Sequence, residues 1–199
     1  RAFERRADHR RGDCGGDHRG ALRYAGLSSG SIPKLEDEMA GAQIGPEKAG
    51  NIVLISDDPG SADLWLPRSQ ALHRSLRPHL PDDYQAYLKI MFHEGAKMGV
   101  LHADGAVKAL AVYRFHHTTF HGLRFYLDDL VTDESERSRG YGAAMLAWCE
   151  RRALEAGCSA FDLESGVQRS RAHQFYFRQG FKIFGFSFTK EIACRNTQS

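Results

Sequence analysis

The sequence has few of the features that mark a membrane protein or a secreted, disulfide-linked one. Apolar residues make up 42% of the 199, but charges interrupt them, and no run approaches the ~18 residues of a membrane-spanning helix. The four cysteines (Cys14, Cys149, Cys158 and Cys194) are scattered, without a C-x-x-C pair or histidines at metal-ligand spacing. We therefore expect no disulfide framework, no metal site, no membrane partner and a location in the reducing cytoplasm.

The chain also lacks a strong excess of charge of one sign. The formal net charge is +2, and residues 1–23 alone hold seven arginines against four acidic residues, so the remainder is close to neutral. A basic nucleic-acid-binding fold would need a clustered cationic surface in the main domain. Nucleic acid is therefore an unlikely partner.

Hydrophobic periodicity divides the chain into three parts. Residues 1–50 show no sustained period of 2 or 3.6 and are rich in glycine, serine and charge, which predicts a disordered or extraneous arm. Residues 51–192 carry the regular patterns of one domain, and residues 193–199 form a tail. Met39 lies just before the regular patterns, so one interpretation is that residues 1–38 are an upstream extension and Met39 is the natural start.

Local patterns predict six strands and four helices in the domain. Pro59-Gly60 closes the first strand, and leucines at helical spacing follow it. Predicted strands cover residues 51–58, 98–102, 106–118, 123–132, 160–164 and 181–189, and predicted helices cover residues 72–80, a segment starting at 81–83, and residues 142–156 and 170–179. This order predicts an α/β mixed sheet with an antiparallel N-terminal half and a β-α-β C-terminal half.

A basic glycine loop follows the fourth predicted strand and opens a helix. Backbone N–H groups at such a junction can bind phosphate, and Arg137 and Arg139 add positive charge to Gly140-Tyr141-Gly142. A dinucleotide fold would require a third small residue where Met145 stands, and a βαβ unit before the loop. A nucleotide-binding oxidoreductase is therefore the weaker alternative.

Two motifs resemble those of the GNAT superfamily of acyl-CoA-dependent N-acyltransferases. Residues 137–142, RSRGYG, resemble its [R/Q]-x-x-G-x-[G/A] signature, and residues 172–181, AHQFYFRQGF, resemble its A-x-x-[F/L]-Y-x-x-x-G-F segment. Both occur in the family's order, with one strand between them. The resemblance covers roughly residues 51–192 and implies the GNAT acyltransferase fold with splayed central strands.

The resemblance implies sites for acetyl-CoA and for catalysis, without a metal. The implied coenzyme contacts are backbone groups for the pantetheine arm at Leu130, Val131 and Thr132, and the pyrophosphate loop of Arg137, Arg139, Gly140, Tyr141, Gly142 and Ala143. Tyr176 is the implied acid that protonates the departing thiolate, the alternative being an aromatic packed in the core. Asp128 is the candidate base, a substrate anchor or a structural residue. Because Asp128 and Asp129 occupy successive strand positions, we expect them on opposite faces.

Together these features predict an N-acetyltransferase that moves an acetyl group from acetyl-CoA to a primary amine by direct attack in a ternary complex. The alternative is a non-catalytic acyl-CoA-binding regulatory module. A small-molecule or peptide amine is the expected acceptor, and the protein is a possible homodimer.

Overall fold

The computed structural model describes residues 50–192, so the predicted arm before Gly50 and the tail over residues 193–199 lie outside the described residues. The strands are β1 (Asn51–Leu54), β2 (Lys97–Ala103), β3 (Ala106–Thr118), β4 (Gly122–Thr132) and β5 (Ala160–Leu163). The helices are α1 (Pro59–Leu76), α2 (Tyr84–His93), a 3-10 turn (Glu134–Glu136), α3 (Tyr141–Glu155) and α4 (Ser170–Arg178). Within residues 50–192, no helix combines the length and the apolarity that crossing a membrane requires.

The five strands form one sheet in the order β1-β2-β3-β4-β5. The first four pair antiparallel: α1 and α2 connect β1 to β2, and short turns connect β2 to β3 and β3 to β4. Strand β5 joins β4 in parallel after the α3 crossover. One apolar core lies between the sheet and α1 with α2, and a second lies between the opposite face and α3. The predicted mixed α/β fold is confirmed, with an antiparallel N-terminal half and a β-α-β unit after it.

The start of α1 differs from the sequence prediction. Asp58 caps this helix by accepting a hydrogen bond from the Ser61 N–H at 2.8 Å, and Pro59 is its first residue. Proline suits that position because its missing N–H has no partner in the first turn. The interpretation of Pro59-Gly60 as a closing turn was therefore wrong, since the dipeptide begins an 18-residue helix.

The predicted strand over residues 181–189 was also wrong. Residues 179–192 form neither strand nor helix in the described chain, and Phe186 and Phe188 are 83% and 94% exposed. Alternating aromatic residues favour extended backbone, but a strand exists only where its N–H and C=O groups pair with a neighbour. Within the described residues this segment pairs with none.

Candidate active site

Strands β4 and β5 separate toward the C-terminal end of β4. Strand β5 pairs with β4 only from Arg124 to Leu127, whereas β3 accompanies β4 as far as Thr132. The β4 edge from Asp128 to Thr132 therefore faces an opening rather than a strand among the described residues. Leu130, Val131 and Thr132, the predicted pantetheine contacts, lie on this open edge. Free backbone groups of such an edge can pair with an extended ligand.

The predicted pyrophosphate loop lies at the far end of the same strand. Gly140 is the N-cap of α3 with φ +87°, a left-handed conformation that glycine adopts without steric cost, and Ser138 also has a positive φ of +64°. No side chain caps this helix among the described residues. The first-turn N–H groups of Tyr141, Gly142 and Ala143 have no acceptor within the helix. The loop and helix end together form a concave set of donors suited to phosphate oxygens.

The two loop arginines add exposed positive charge at this end. Arg137 pairs with Glu134, and Arg139 lies 2.8 Å from Glu136, which also contacts Lys108 at 2.7 Å. The side chains of Arg137 and Arg139 are 47% and 65% exposed. Arg137 can therefore turn toward an anion at the cost of one surface ion pair, since Glu134 is 72% exposed. Glu136 is only 14% exposed, but it keeps Lys108 as a partner when Arg139 turns toward an anion.

Gly142 brings three elements of the site together. A Cβ at this position would lie 3.2 Å from Oγ1 of Thr132 at the end of β4 and 3.7 Å from the Phe175 ring on α4. This close approach shows that β4, the start of α3 and α4 meet at Gly142. The residues present therefore fit the diphosphate and the extended arm of coenzyme A.

A β-bulge places both aspartates on the same face of the sheet. Val112 pairs with Asp129 and Tyr113 with Leu127, so Asp128 is an extra residue in β4. A bulge reverses the alternation of side chains beyond it. Asp128 consequently faces Arg114, and Asp129 faces α1, on the side that carries α1 and α2. The expectation that the two carboxylates point to opposite faces was therefore wrong.

Asp129 is buried and held on both oxygens. Nε2 of His73 lies 3.0 Å from Oδ2, and Nε of Arg77 donates to Oδ1 at 2.6 Å. Burial alone would raise the pKa of Asp129, but the hydrogen bonds and charges of His73 and Arg77 hold that pKa below its usual value. Asp129 is thus an ionised structural carboxylate with little capacity left for a ligand.

Asp128 is more open than its neighbour. Arg114 donates to its Oδ2 at 2.9 Å, its side chain is 25% exposed, and no hydrogen bond reaches Oδ1 from residues 50–192. Burial raises the pKa of Asp128 above its usual value, and the Asp129 charge adds to this, while Arg114 opposes it. A carboxylate with one free oxygen and a raised pKa is suited to accepting a proton.

Tyr176 lies on α4 among aromatic side chains. Its ring packs against Phe175, which contacts the Gly142 site, and against Phe181 at centroid distances of 5.4 and 5.8 Å. Burial raises its pKa, and the Asp129 charge also contributes. The phenol therefore keeps its proton at neutral pH and can act as a donor.

Several polar neighbours of the aspartates were missed from the sequence. His73 is 1% exposed and shares the buried stripe of α1 with Ser69, and Arg77 follows it at i+4. A histidine and a serine on an otherwise apolar helix stripe were the available signal. On β4, burial and the Glu164 and Asp128 carboxylates raise the pKa of Tyr126 to about 12.

Replacing Asp129 with asparagine should destabilise the protein by roughly 3 kcal/mol near neutral pH, because it breaks a buried ion pair. The folded pKa of Asp129 is lowered, so its stabilisation exists above the unfolded value of about 3.9 and disappears as pH falls through the folded value. Urea unfolding of the unchanged protein and of Asp129→Asn, from acidic to neutral pH, measures the difference in their unfolding free energies.

The matched control for that measurement is Asp63→Asn. Asp63 pairs with Lys89 at 2.8 Å, but its side chain is 66% exposed, so its loss should cost less than about 1 kcal/mol. If the difference in unfolding free energy between Asp129→Asn and the unchanged protein stays the same at acidic pH, Asp129 is not an ionised carboxylate held by His73 and Arg77.

Comparison of the sequence with known proteins gives matches to acetyltransferases. The sequence model of the acetyltransferase (GNAT) family matches residues 64–181. The chain is 33% identical over 137 residues to the uncharacterised N-acetyltransferase YhdJ of Bacillus subtilis, covering 66% of this chain and 94% of that protein. It is 32% identical over 88 residues to the aminoalkylphosphonate N-acetyltransferase of Salmonella typhimurium, covering 44% of this chain. The chain matches only 55% of that relative's length.

Solved structures share the fold. The structure of AAC(6')-Iy in complex with the bisubstrate analogue CoA-S-monomethyl-acetylneamine superposes with a TM-score of 0.61, covering 72% of this chain and 98% of that chain. Sequence identity in this pair is 18%, so the likeness concerns the fold alone.

Proposed function

This chain belongs to the acetyltransferase (GNAT) family and is an acyltransferase, and from that premise we propose that it moves an acetyl group from acetyl-CoA to a primary amine. The observation that carries the proposal is the open β4 edge between two chemically different ends. Asp128 lies at one end and the phosphate-type loop at Gly140 lies at the other. We assign Tyr176 as the acid between them, supported by the contribution of the Asp129 charge to its raised pKa.

The donor half of the proposed site binds and orients the coenzyme. The first-turn N–H groups of α3 and the backbone at Gly140 hold the pyrophosphate, and Arg137 and Arg139 neutralise it. Backbone groups of Leu130, Val131 and Thr132 pair with the pantetheine arm. Acetyl-CoA supplies an activated thioester, so the chain needs no nucleophile of its own. Holding both substrates in one site contributes up to ~7–11 kcal/mol toward the barrier.

The acceptor half of the proposed site removes a proton from the amine. An ammonium group has no lone pair, so attack requires a nearby base acting directly or through water. Asp128 fits this role better than Asp129, because both oxygens of Asp129 are already bound by α1. The same carboxylate attracts the cationic acceptor before the proton moves.

We place small-molecule amines first among acceptors. The Salmonella relative is named for aminoalkylphosphonates, and the AAC(6')-Iy ligand carries an acetylated neamine. The loop between α1 and α2, residues 77–83, lies beside the bulge through Arg77 and is the nearest surface for acceptor contacts.

A thiol-release assay with acetyl-CoA tests the proposal. The panel is 2-aminoethylphosphonate, neamine and a lysine-containing peptide, with mass spectrometry to detect the acetylated product. We expect amine-dependent release with at least one small amine. Tight coenzyme binding without release for any amine would instead favour the non-catalytic acyl-CoA-binding module.

Asp128→Asn should lower kcat/KM by about 10²–10³, the usual contribution of a general base. In the unchanged protein kcat/KM should fall as pH drops through the pKa of Asp128, which lies above 3.8, because only the carboxylate accepts a proton. The acid limb should be absent from the variant. A variant with full activity and the same limb would remove Asp128 from the mechanism.

A further inference from the structure

A line of buried polar groups crosses the apolar core between α1, α2 and the sheet. Nδ1 of His73 lies 3.0 Å from the Tyr84 hydroxyl, and Nε2 lies 3.0 Å from Oδ2 of Asp129. Relative exposures are 1% for His73, 1% for Tyr84 and 9% for Asp129. Apolar side chains such as Leu66 and Leu88 surround them. Buried polar groups in such a setting are costly unless each is satisfied.

Donor and acceptor chemistry fixes the direction of the hydrogen bond to Asp129. A carboxylate only accepts, so the Nε2–H of His73 donates to Asp129. The Tyr84 O–H donates to Nδ1 of a neutral imidazole, and the Nδ1–H of an imidazolium donates to the Tyr84 oxygen, so Tyr84 holds the ring in either form. Burial raises the pKa of Tyr84, which keeps that hydroxyl protonated. Tyr84 thereby orients the imidazole, and the imidazole orients Asp129.

Arg77, one helical turn beyond His73, contacts both aspartates. Its Nε donates to Oδ1 of Asp129 at 2.6 Å, and its Nη2 donates to the backbone carbonyl of Asp128 at 3.3 Å. The end of α1 therefore binds one carboxylate of the bulge and the backbone that carries the other. It leaves the Asp128 side chain to Arg114.

We propose that His73 and Arg77 are positioning residues that hold the β4 bulge so that Asp128 presents its carboxylate to the acceptor. The proposal rests on the proposed function, in which Asp128 is the base. His73 fixes the geometry through Asp129, and Arg77 adds a positive charge that favours the ionised form of Asp128. This pair, His73 and Arg77, is called the clamp. The clamp thus sets both the direction and the proton affinity of the Asp128 carboxylate.

Other charged or titratable groups act on this carboxylate directly or through a neighbour, and each must stay in place during the test. Arg114 on β3 and Asp129 on β4 act on Asp128 directly, and the Asp128 charge raises the pKa of Tyr126. His73 with Tyr84 acts through Asp129, and Glu164 after β5 acts through Tyr126. Among the side chains of α1 and its C-cap within the described residues, only Arg77 donates to the bulge backbone.

A ligand-free titration separates this role from a merely structural one. Carboxyl ¹³C NMR of the full chain follows Asp128, whose signal is assigned by its absence in Asp128→Asn. In Arg77→Gln the titration midpoint of Asp128 should move to higher pH, because a nearby cation that favours the carboxylate is removed. Arg74→Gln is the matched control: Arg74 lies on the same helix and binds the carbonyls of Leu80 and Pro81 instead. In Arg74→Gln the titration midpoint of Asp128 should stay where it is in the unchanged protein.

The activity readout uses 2-aminoethylphosphonate as the probe acceptor, or the best amine of the panel. His73→Leu should lower kcat about tenfold or more while the affinity for coenzyme A is kept, since small displacements of a catalytic group are costly. His73→Gln, which retains a donor toward Asp129, should recover part of the loss. Tyr84→Phe should give a smaller loss than His73→Leu.

Two failures are distinguishable. If Asp128→Asn keeps full activity, the base assignment in the proposed function fails. If Asp128→Asn is inactive but Arg77→Gln leaves the Asp128 midpoint where Arg74→Gln leaves it, only the clamp is overturned. Equal kcat in His73→Leu and the unchanged protein would also overturn it.

Discussion

Replacing Gly140 with valine should weaken the binding of coenzyme A by roughly a hundredfold or more. Gly140 has φ +87°, where a β-branched residue is strained, so the loop must move and take its N–H groups with it. Hydrogen bonds to a charged group are worth about 1.5–3 kcal/mol each, and the loss of two corresponds to that factor. Calorimetric titration with coenzyme A measures the affinity directly.

The opposite end of the same helix supplies the control. Gly157 follows α3 with φ +72°, and a Cβ there meets nothing within 4 Å. Gly157→Val therefore introduces the same backbone strain far from the loop and should leave coenzyme affinity unchanged. Unaltered affinity in Gly140→Val, or an equal loss in both variants, would refute the assignment of the loop to the pyrophosphate. Circular dichroism confirms that both variants are folded.

The backbone geometry of the proposed donor half could be predicted from the sequence because its requirements are local. A left-handed glycine directly before a helix is needed by the backbone itself, and Gly140 is such a residue. Most of the motif around Tyr176, residues 172–178, likewise lies within α4, which forms within one residue of the predicted bounds. Patterns confined to a few neighbouring positions carry enough information to place these groups.

The acceptor half could not be predicted, since pairing between distant segments decides it. Whether Asp128 and Asp129 share a face depends on the register of β4 against β3, and one extra residue reverses it. The partners His73 and Arg77 lie more than fifty residues away and reach Asp129 only after α1 packs on the sheet. The alternation of residues along β4 alone predicts neither the register against β3 nor the contacts from α1.

The segment over residues 181–189 shows the same limit in reverse. Its aromatic alternation satisfies the local criteria for a strand, yet Phe184, Phe186 and Phe188 are 70–94% exposed and their backbone is unpaired within the described chain. Local preference states only that a segment is able to pair. The presence of a partner is a property of the tertiary structure.

Changing Tyr176 to phenylalanine should lower kcat by about 10²–10³ and alter coenzyme affinity by no more than about threefold. General acid catalysis typically contributes a factor of that size, and phenylalanine keeps the ring packing against Phe175 and Phe181. Only the hydroxyl proton is lost. Steady-state kinetics with the best acceptor and a calorimetric titration separate the two effects.

Tyr126→Phe is the comparison that makes this prediction specific. Tyr126 is a phenol whose pKa responds to the Asp128 charge, and that pKa is raised to about 12 by burial and by the Glu164 carboxylate. Both tyrosines are protonated at neutral pH, so acidity alone does not choose between them. Tyr176 differs in lying on α4 beside Phe175, which meets the Gly142 site at the donor end. A large loss in Tyr126→Phe with full turnover in Tyr176→Phe would transfer the acid role to β4, because the departing thiolate would then lie nearer the acceptor carboxylates.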